Sequence, residues 1–416
     1  GGYSLIQEWK DQKKNTTKKV FDQYTDAFFK ENISTNEITM HFFLENPEKY
    51  RLEQPKNLYP SMNQGSILNE KIKISKEIEK LKKFKQKELT KKQQNTYMVL
   101  MDYLRRQKNL SMYPYYERIL GKTSGQQAQI LLTLSEYRLK NEKDIKSYFQ
   151  LLKGLDGYFD SLIEYSKEQV KRNLFLSDQS LKEVLQQIQN VIKQKENNML
   201  VATFNLRIAD IKGINAAQKK KYCRENKKLI GTKVLPAYEK LYSHLQALNG
   251  NGKNENGLYY YKNGKEYYKV LVAQKTGSDK TIEEMIEISD RSIEKCLRKL
   301  IKLQKKYPNI INEYRNHKKN IKIVQNPQNI LNKLRQKMVK YYSKAPKVSC
   351  KIKYVHKTME EYTSPAFYMV PEIDSYKENV IYINKAQTAE LYPTLAHEGY
   401  PGHLYQNVYY AARNDD

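Results

Sequence analysis

The chain has 416 residues and carries 74 Lys+Arg against 46 Asp+Glu, a formal charge of +28. That length supports a large core, as one extended helical domain or as two lobes, and no run approaches the ~20 apolar residues of a membrane-spanning helix. Cys223, Cys296 and Cys350 are too few and too scattered for a disulfide framework or a C-x-x-C pair; they read as buried free thiols, with one bridge plus a free thiol as the alternative.

Taken in chain order, most of the sequence has helical periodicity. Trp9, Val20, Tyr24 and Phe28 outline an N-terminal amphipathic helix or pair. A strongly helical segment runs from about Leu68 to Leu104, with Ile74, Ile78 and Leu81 at i, i+4 and i+7. Segments from about Lys143 to Asn173, Asp178 to Lys195 and Leu229 to Leu248 read as further helices. Asn263-Gly264 between tyrosine-rich runs, from Leu258 to Tyr268, predicts a β-hairpin. Thr281 with Glu284 forms a capping box before Ile282, Met285, Ile286, Ile293, Leu297, Leu300 and Leu303, and Pro308 ends that helix. Three β-rich stretches follow, Ile352–Val355, Phe367–Val370 and Val380–Ile383, directly before a final helix. The fold class is therefore mainly α (α+β): a large helical array with a small sheet next to the last helix. Residues 1–250 form a mainly helical region, and residues 251–416 hold the hairpin, further helices, the sheet and that helix.

The high positive charge invites a nucleic-acid reading, but the lysines are spread along the chain. Lys82-Lys83 and Lys219-Lys220-Lys221 lie in helical patterns that also contain acids, so a solvated surface is expected rather than a specific nucleic-acid site. Attraction to an anionic cell envelope is compatible with the charge and should weaken with salt. Gly121-Lys122-Thr123 resembles the end of a phosphate loop, but Tyr116 stands where the upstream glycine belongs.

The chemistry concentrates in His397-Glu398-Gly399-Tyr400-Pro401-Gly402-His403, which uses two of only six histidines. Imidazoles that hold a zinc ion and a carboxylate that takes a proton from water are the material of a hydrolytic site. In H-E-x-x-H the histidines are four apart on one helical face. Here they are six apart, which on a regular helix leaves them roughly 120° from a shared face. Removing Pro401 and Gly402 restores the usual spacing. One reading is a helix interrupted at Pro401-Gly402, the bulge returning His403 toward His397. The other is a helix C-terminus at Tyr400 with two unrelated surface histidines. His41, His244, His317 and His356 read as core or surface residues.

This motif, with Gln406 after it, resembles the H-E-G-x-P-G-H-x-x-Q hallmark of a bacterial family of unknown function, domain family 885, placed near the thermolysin-like (gluzincin) metallopeptidases. Leu120-Gly121-Lys122-Thr123-Ser124-Gly125-Gln126-Gln127-Ala128, His41 with Asn46-Pro47-Glu48-Lys49-Tyr50, Ser364-Pro365-Ala366-Phe367-Tyr368 and Val380-Ile381-Tyr382-Ile383-Asn384 are similar to other stretches of that family. The resemblance implies a zincin-like architecture, His397 and His403 as zinc ligands and Glu398 as general base. It implies a peptide substrate, with Val380–Asn384 as the edge strand along the cleft and Tyr382 and Asn384 as substrate-binding residues. A gluzincin takes a third ligand from a later glutamate, and only Asp415 and Asp416 are acidic after His403. The third protein ligand is therefore expected beyond residue 416, and the chain is expected to be a C-terminally shortened form that holds zinc weakly. Family members are often lipoproteins, which implies an extracytoplasmic, lipid-anchored location. Gly1-Gly2-Tyr3-Ser4, with no initiating methionine and no signal-peptide pattern, suits a processed start. The expected function is zinc-dependent peptide hydrolysis. The rivals are a non-catalytic envelope-associated binding lipoprotein and a basic polyanion-binding protein.

Overall fold

A computed structural model describes residues 2–122, 124–320, 326–357, 360, 363–387 and 391–413. The N-terminal layer starts with α1 (Gly2–Ile33) and α2 (Glu37–Phe43). The segment expected as one helix from Leu68 to Leu104 is two, α3 (Gln64–Lys82) and α4 (Lys91–Leu110). The break lies where Thr90 and Gln93 cap each other's backbone N–H groups at 3.2 and 3.0 Å, a helix start written into the local sequence. Ile74, Ile78 and Leu81 point inward together, against Phe21 of α1 and Leu104 of α4.

The main core is built by α5 (Gln126–Ser135), α6 (Glu142–Lys171), α7 (Asp178–Gln194), α8 (Met199–Ala209), α9 (Ala216–Leu229) and α10 (Leu235–Gln246). Its axis is α6, whose Leu151, Leu152, Leu155, Phe159 and Leu162 are fully buried. Between α9 and α10 the helix widens into one π turn at Ile230–Val234. Pro236 follows in the first turn of α10 and has no N–H to bond back, so a locally widened helix accommodates it.

The hairpin expected at Leu258–Tyr268 does not form. Leu258–Tyr260 is a 3-10 turn, and Asn263 in the left-handed region (φ 54°) opens α11 (Gly264–Thr276). A Cβ on Gly264 would lie 1.7 Å from the Leu258 carbonyl oxygen. The Asn-Gly pair thus serves a tight helix entry instead of a strand turn. Tyr267 then packs its ring on Tyr113 and Tyr116 at 5.6 and 5.0 Å. Next come α12 (Ile282–Lys306), with the expected Thr281–Glu284 capping box, α13 (Ile310–Asn320) and α14 (Pro327–Met338). Cys223, Cys296 and Cys350 are all free, as expected, but Cys223 and Cys350 are only half-buried and Cys296 is exposed. No described helix is long and apolar enough to cross a membrane.

The three β-rich stretches form β1 (Ser349–Tyr354), β2 (Ala366–Met369) and β3 (Glu378–Ile383). The order is β1-β3-β2, with β3 parallel to β1 and antiparallel to β2. Alternation of side chains gives this sheet two different faces. Tyr382, with Phe367 stacked on it at 5.0 Å, faces the helical core. Ile381, Ile383 and Tyr368 face a second core made with α14, α15 (Leu391–Glu398) and α16 (His403–Ala411).

Buried polar contacts lock the N-terminal layer to the sheet. His41 of α2 stacks on Tyr137 at 3.6 Å and its Nε2 accepts from the Arg138 N–H at 2.9 Å. The Tyr137 hydroxyl donates to Glu37 at 2.7 Å, and the Tyr382 hydroxyl donates to Glu136. Asp374, after β2, accepts the backbone N–H groups of Glu45 and Asn46 at 2.7 and 3.0 Å. Burial, helped by Arg138, Lys140 and Arg207, pushes His41 down from 6.5 to about 2. The folded chain therefore refuses a proton that the unfolded chain takes up. Stability from this group is complete above about 6.5 and is lost as pH falls below it. Urea unfolding of His41→Gln against pH should show a shallower acid-side loss than the parent, by about 1.4 kcal/mol per pH unit. An identical slope in both proteins counts against a neutral His41.

Candidate metal centre

The sequence motif sits on a helix that stops and restarts. In α15 the Gly399 N–H still bonds the Leu395 carbonyl at 2.9 Å; then Tyr400-Pro401, joined by a cis peptide bond, turns the chain out of the helix. From His403 the chain is helical again as α16, with the Gln406 N–H donating to the Gly402 carbonyl at 3.0 Å and the Tyr405 N–H to the Gly399 carbonyl at 3.1 Å. The turn is held from below. Tyr400 is buried, with the Arg335 guanidinium of α14 5.7 Å from its ring. Leu395, Leu404 and Val408 are fully buried beneath the turn, each worth about 1.5–3 kcal/mol in transfer free energy if a large aliphatic side chain is wholly removed from water.

Two glycines make this path sterically allowed. A Cβ on Gly402 would lie 1.6 Å from the His397 carbonyl oxygen and 2.6 Å from that of Ala396. A Cβ on Gly399 would meet Leu331 Cδ1 at 2.3 Å and the Leu395 carbonyl oxygen at 2.7 Å. The interruption therefore brings the start of α16 onto the end of α15. His397 and His403 end with ring centroids 4.7 Å apart and planes at 88°. Six residues apart in sequence, they are neighbours in space.

Glu398 completes the group. Its Oε2 accepts the Tyr368 backbone N–H of β2 at 2.9 Å, and its Oε1 lies 4.0 Å from His397 Nε2. One atom of each of the three side chains falls within 4.8 Å of the others, and among the described residues no other cluster of His, Cys, Asp or Glu has that compactness. His397 is 69% exposed and Glu398 13%. The imidazoles thus open to solvent while the carboxylate is pinned against the sheet. Sequence reasoning missed the Tyr368 N–H. The Phe367–Val370 stretch was expected as a strand and Ser364–Tyr368 as family-like, but a backbone donor leaves no residue-type signal for its role beside Glu398.

The expected substrate strand is moved by the topology. Val380–Ile383 belongs to β3, the central strand, whose two edges are paired with β1 and β2. Tyr382 is buried with its hydroxyl on Glu136, and burial followed by that carboxylate pushes its pKa up. Asn384 is fully buried; its Nδ2 donates to the Glu360 and Thr363 carbonyls at 2.8 and 3.2 Å, and its Oδ1 accepts the Ala386 N–H at 3.0 Å. Both side chains are committed to holding the strand and its exit loop. The strand that runs beside Glu398 is β2. His41 is a half-buried acceptor, and His244 is exposed on α10. Thr123, Asp415 and Asp416 lie outside the described residues, as does the side chain of His317.

The profile of a family described as "Bacterial protein of unknown function (DUF885)" matches residues 53–416. Among solved structures, the chain is similar to the crystal structure of the "putative lipoprotein" from Colwellia psychrerythraea, at a TM-score of 0.78 and 14% sequence identity. The likeness covers 97% of this chain and 73% of that one, and at that identity it speaks for the fold alone. No curated protein matches the chain.

If Gly402 is what permits the turn, Gly402→Ala should cost about 2–4 kcal/mol in urea unfolding, as a backbone collision with no flexible partner to yield. Gly157→Ala is the control, because its Cβ would meet nothing within 4 Å in the middle of α6. It should be neutral or stabilising by up to about 1 kcal/mol. Equal effects at both positions would remove the steric argument.

Proposed function

The chain belongs to the DUF885 family, and we propose that it is built for metal-assisted hydrolysis of peptide bonds, with His397 and His403 as zinc ligands and Glu398 as general base. The observation that carries this reading is the juxtaposition of the two imidazoles across the Gly399–Gly402 turn, with Glu398 fixed beside them. The donor set fits zinc: two imidazoles on adjoining helix ends, a carboxylate next to the first, and no cysteine in the group. A catalytic zinc ordinarily has three protein ligands, so a third is proposed from outside the described residues. When bound, zinc supplies Lewis acidity that makes a water acidic enough to act near neutral pH.

The chain's own residues do the rest. The Tyr368 N–H holds one oxygen of Glu398 and leaves the other turned toward His397, which orients the carboxylate for proton transfer. Glu398 accepts the proton of the attacking water and delivers it to the leaving amine. The Tyr368 N–H points away from β3 toward Glu398, so the outer edge of β2 is the sheet edge that borders this site. An extended peptide adding to that edge would lie across the end of α15, main chain against main chain. An envelope-associated, lipid-anchored location accompanies this proposal, in keeping with the naming of the Colwellia structure.

A second reading is a non-catalytic binding protein, favoured by one observation: the described cluster offers only two histidines and one carboxylate. Hydrolysis of a broad peptide library by the full-length protein separates the two. The enzyme reading expects activity that Glu398→Gln lowers by about 10²–10⁴-fold while bound zinc is retained. It also expects His397→Ala and His403→Ala each to lose the metal. Zinc-loaded protein without any hydrolysis supports the binding reading and sinks the peptidase.

A further inference from the structure

The helix α12 presents 25 residues of which none is buried. Its apolar stripe is fully drawn in the sequence: Ile286, Ile293, Leu297, Leu300 and Leu303 are between 43% and 56% exposed. The helix is fixed to the body at its start, where Asp279 pairs with Arg105 and Arg106 of α4 at 3.0 and 3.2 Å. A mutual capping box at Thr281 and Glu284 begins it. A helix this well started, carrying an open apolar stripe, calls for a partner.

The stripe has the seven-residue spacing of a coiled-coil seam. Ile286, Ile293 and Leu300 fall on one heptad position, and Ser289, Cys296 and Leu303 on the other. The charge along the helix is polarised. From Ile282 to Glu294 there are five acids (Glu283, Glu284, Glu287, Asp290, Glu294) and one base, Arg291. From Lys295 to Lys306 there are six bases and no acid. Compensation of the helix dipole explains only the first and last turns, whereas this polarity fills both halves.

We propose that α12 is a dimerisation helix that pairs antiparallel with the same helix of a second copy of this chain. Antiparallel pairing sets each acidic half against a basic half; parallel pairing would set like against like. The register follows from the heptads. Ile286 meets the partner's Leu303, Leu300 meets the partner's Ser289, and Ile293 meets the partner's Cys296, so the two-fold axis passes close to Glu294 and Lys295. An anionic membrane is a poorer occupant because the acidic half would be repelled by it. The inference is independent of the metal centre.

The test uses the full-length protein in light scattering after size exclusion, across a concentration series. A species of twice the monomer mass is expected, weakening at high salt as the charge term is screened. Leu297→Glu and Leu300→Glu, on a face that touches no core, should abolish it while leaving the circular dichroism unchanged. Orientation is read by disulfide capture in a Cys296→Ser background. Ile286→Cys and Leu303→Cys proteins should cross-link when mixed, and neither should cross-link strongly alone. A monomer at every concentration overturns the proposal. So does efficient self-cross-linking of each single variant, which is the parallel arrangement. Capture by anionic lipid vesicles that the same glutamates abolish, without a dimer, also overturns it.

Discussion

Gly402 lies so close to the end of α15 that a methyl group in place of its hydrogen would sit 1.6 Å from the His397 carbonyl oxygen. That approach lets the chain leave one helix and begin another within four residues. A continuous helix would carry His403 away around the axis; the interrupted one returns it to His397. The arrangement of the two imidazoles, the position of Glu398 and the packing of Tyr400 against Arg335 all depend on this turn. Residue choice within the motif follows from it. The histidines and the glutamate are brought into one compact group, the two glycines supply close approach, and Tyr400 plugs the core beneath.

The turn would be of little use without a fixed surface opposite it, and the sheet provides one. Its three strands stand between two hydrophobic cores, with Tyr382 and Phe367 on one face and Ile381, Ile383 and Tyr368 on the other. The helical array thereby sets the height and tilt of β2, whose Tyr368 N–H holds Glu398. Contacts from far away in sequence stiffen this arrangement: Glu136 with Tyr382, Asp374 with the backbone at Glu45 and Asn46, and Arg138 with Glu372 at 2.7 Å. Residues near the N-terminus thus brace the segments that flank the sheet.

Much of this was legible in the sequence where local physics decides the outcome. The three strands, α6, α7 and the capping box of α12 lie where periodicity and end signals put them. At Pro401-Gly402 the sequence allowed two readings, and the one with an interrupted helix holds, since the chain is helical again from His403 and its ring lies beside His397. One miss was local, the Thr90–Gln93 capping box that splits the Leu68–Leu104 segment into two helices; the others were tertiary. Asn263-Gly264 has the chemistry of a hairpin turn, yet Tyr267 finds Tyr113 and Tyr116 to pack on and the segment becomes helical. A tertiary contact outweighs the local β preference there. The central place of β3 depends on strand order, which residue types do not encode. Consequently Tyr382 and Asn384, read as substrate contacts, turned out to have buried partners of their own. The pinning of Glu398 depends on a backbone N–H, which every residue but proline has.

The central claim is that the two imidazoles on either side of the Gly399–Gly402 turn bind one metal ion. X-ray absorption at the zinc edge of the full-length protein reads this directly. The account predicts imidazole nitrogen scattering at about 2.0–2.1 Å, fitted by two histidines in the parent and by fewer in His397→Ala or His403→Ala. A sulfur-dominated shell, or a histidine count unchanged by either substitution, would contradict it.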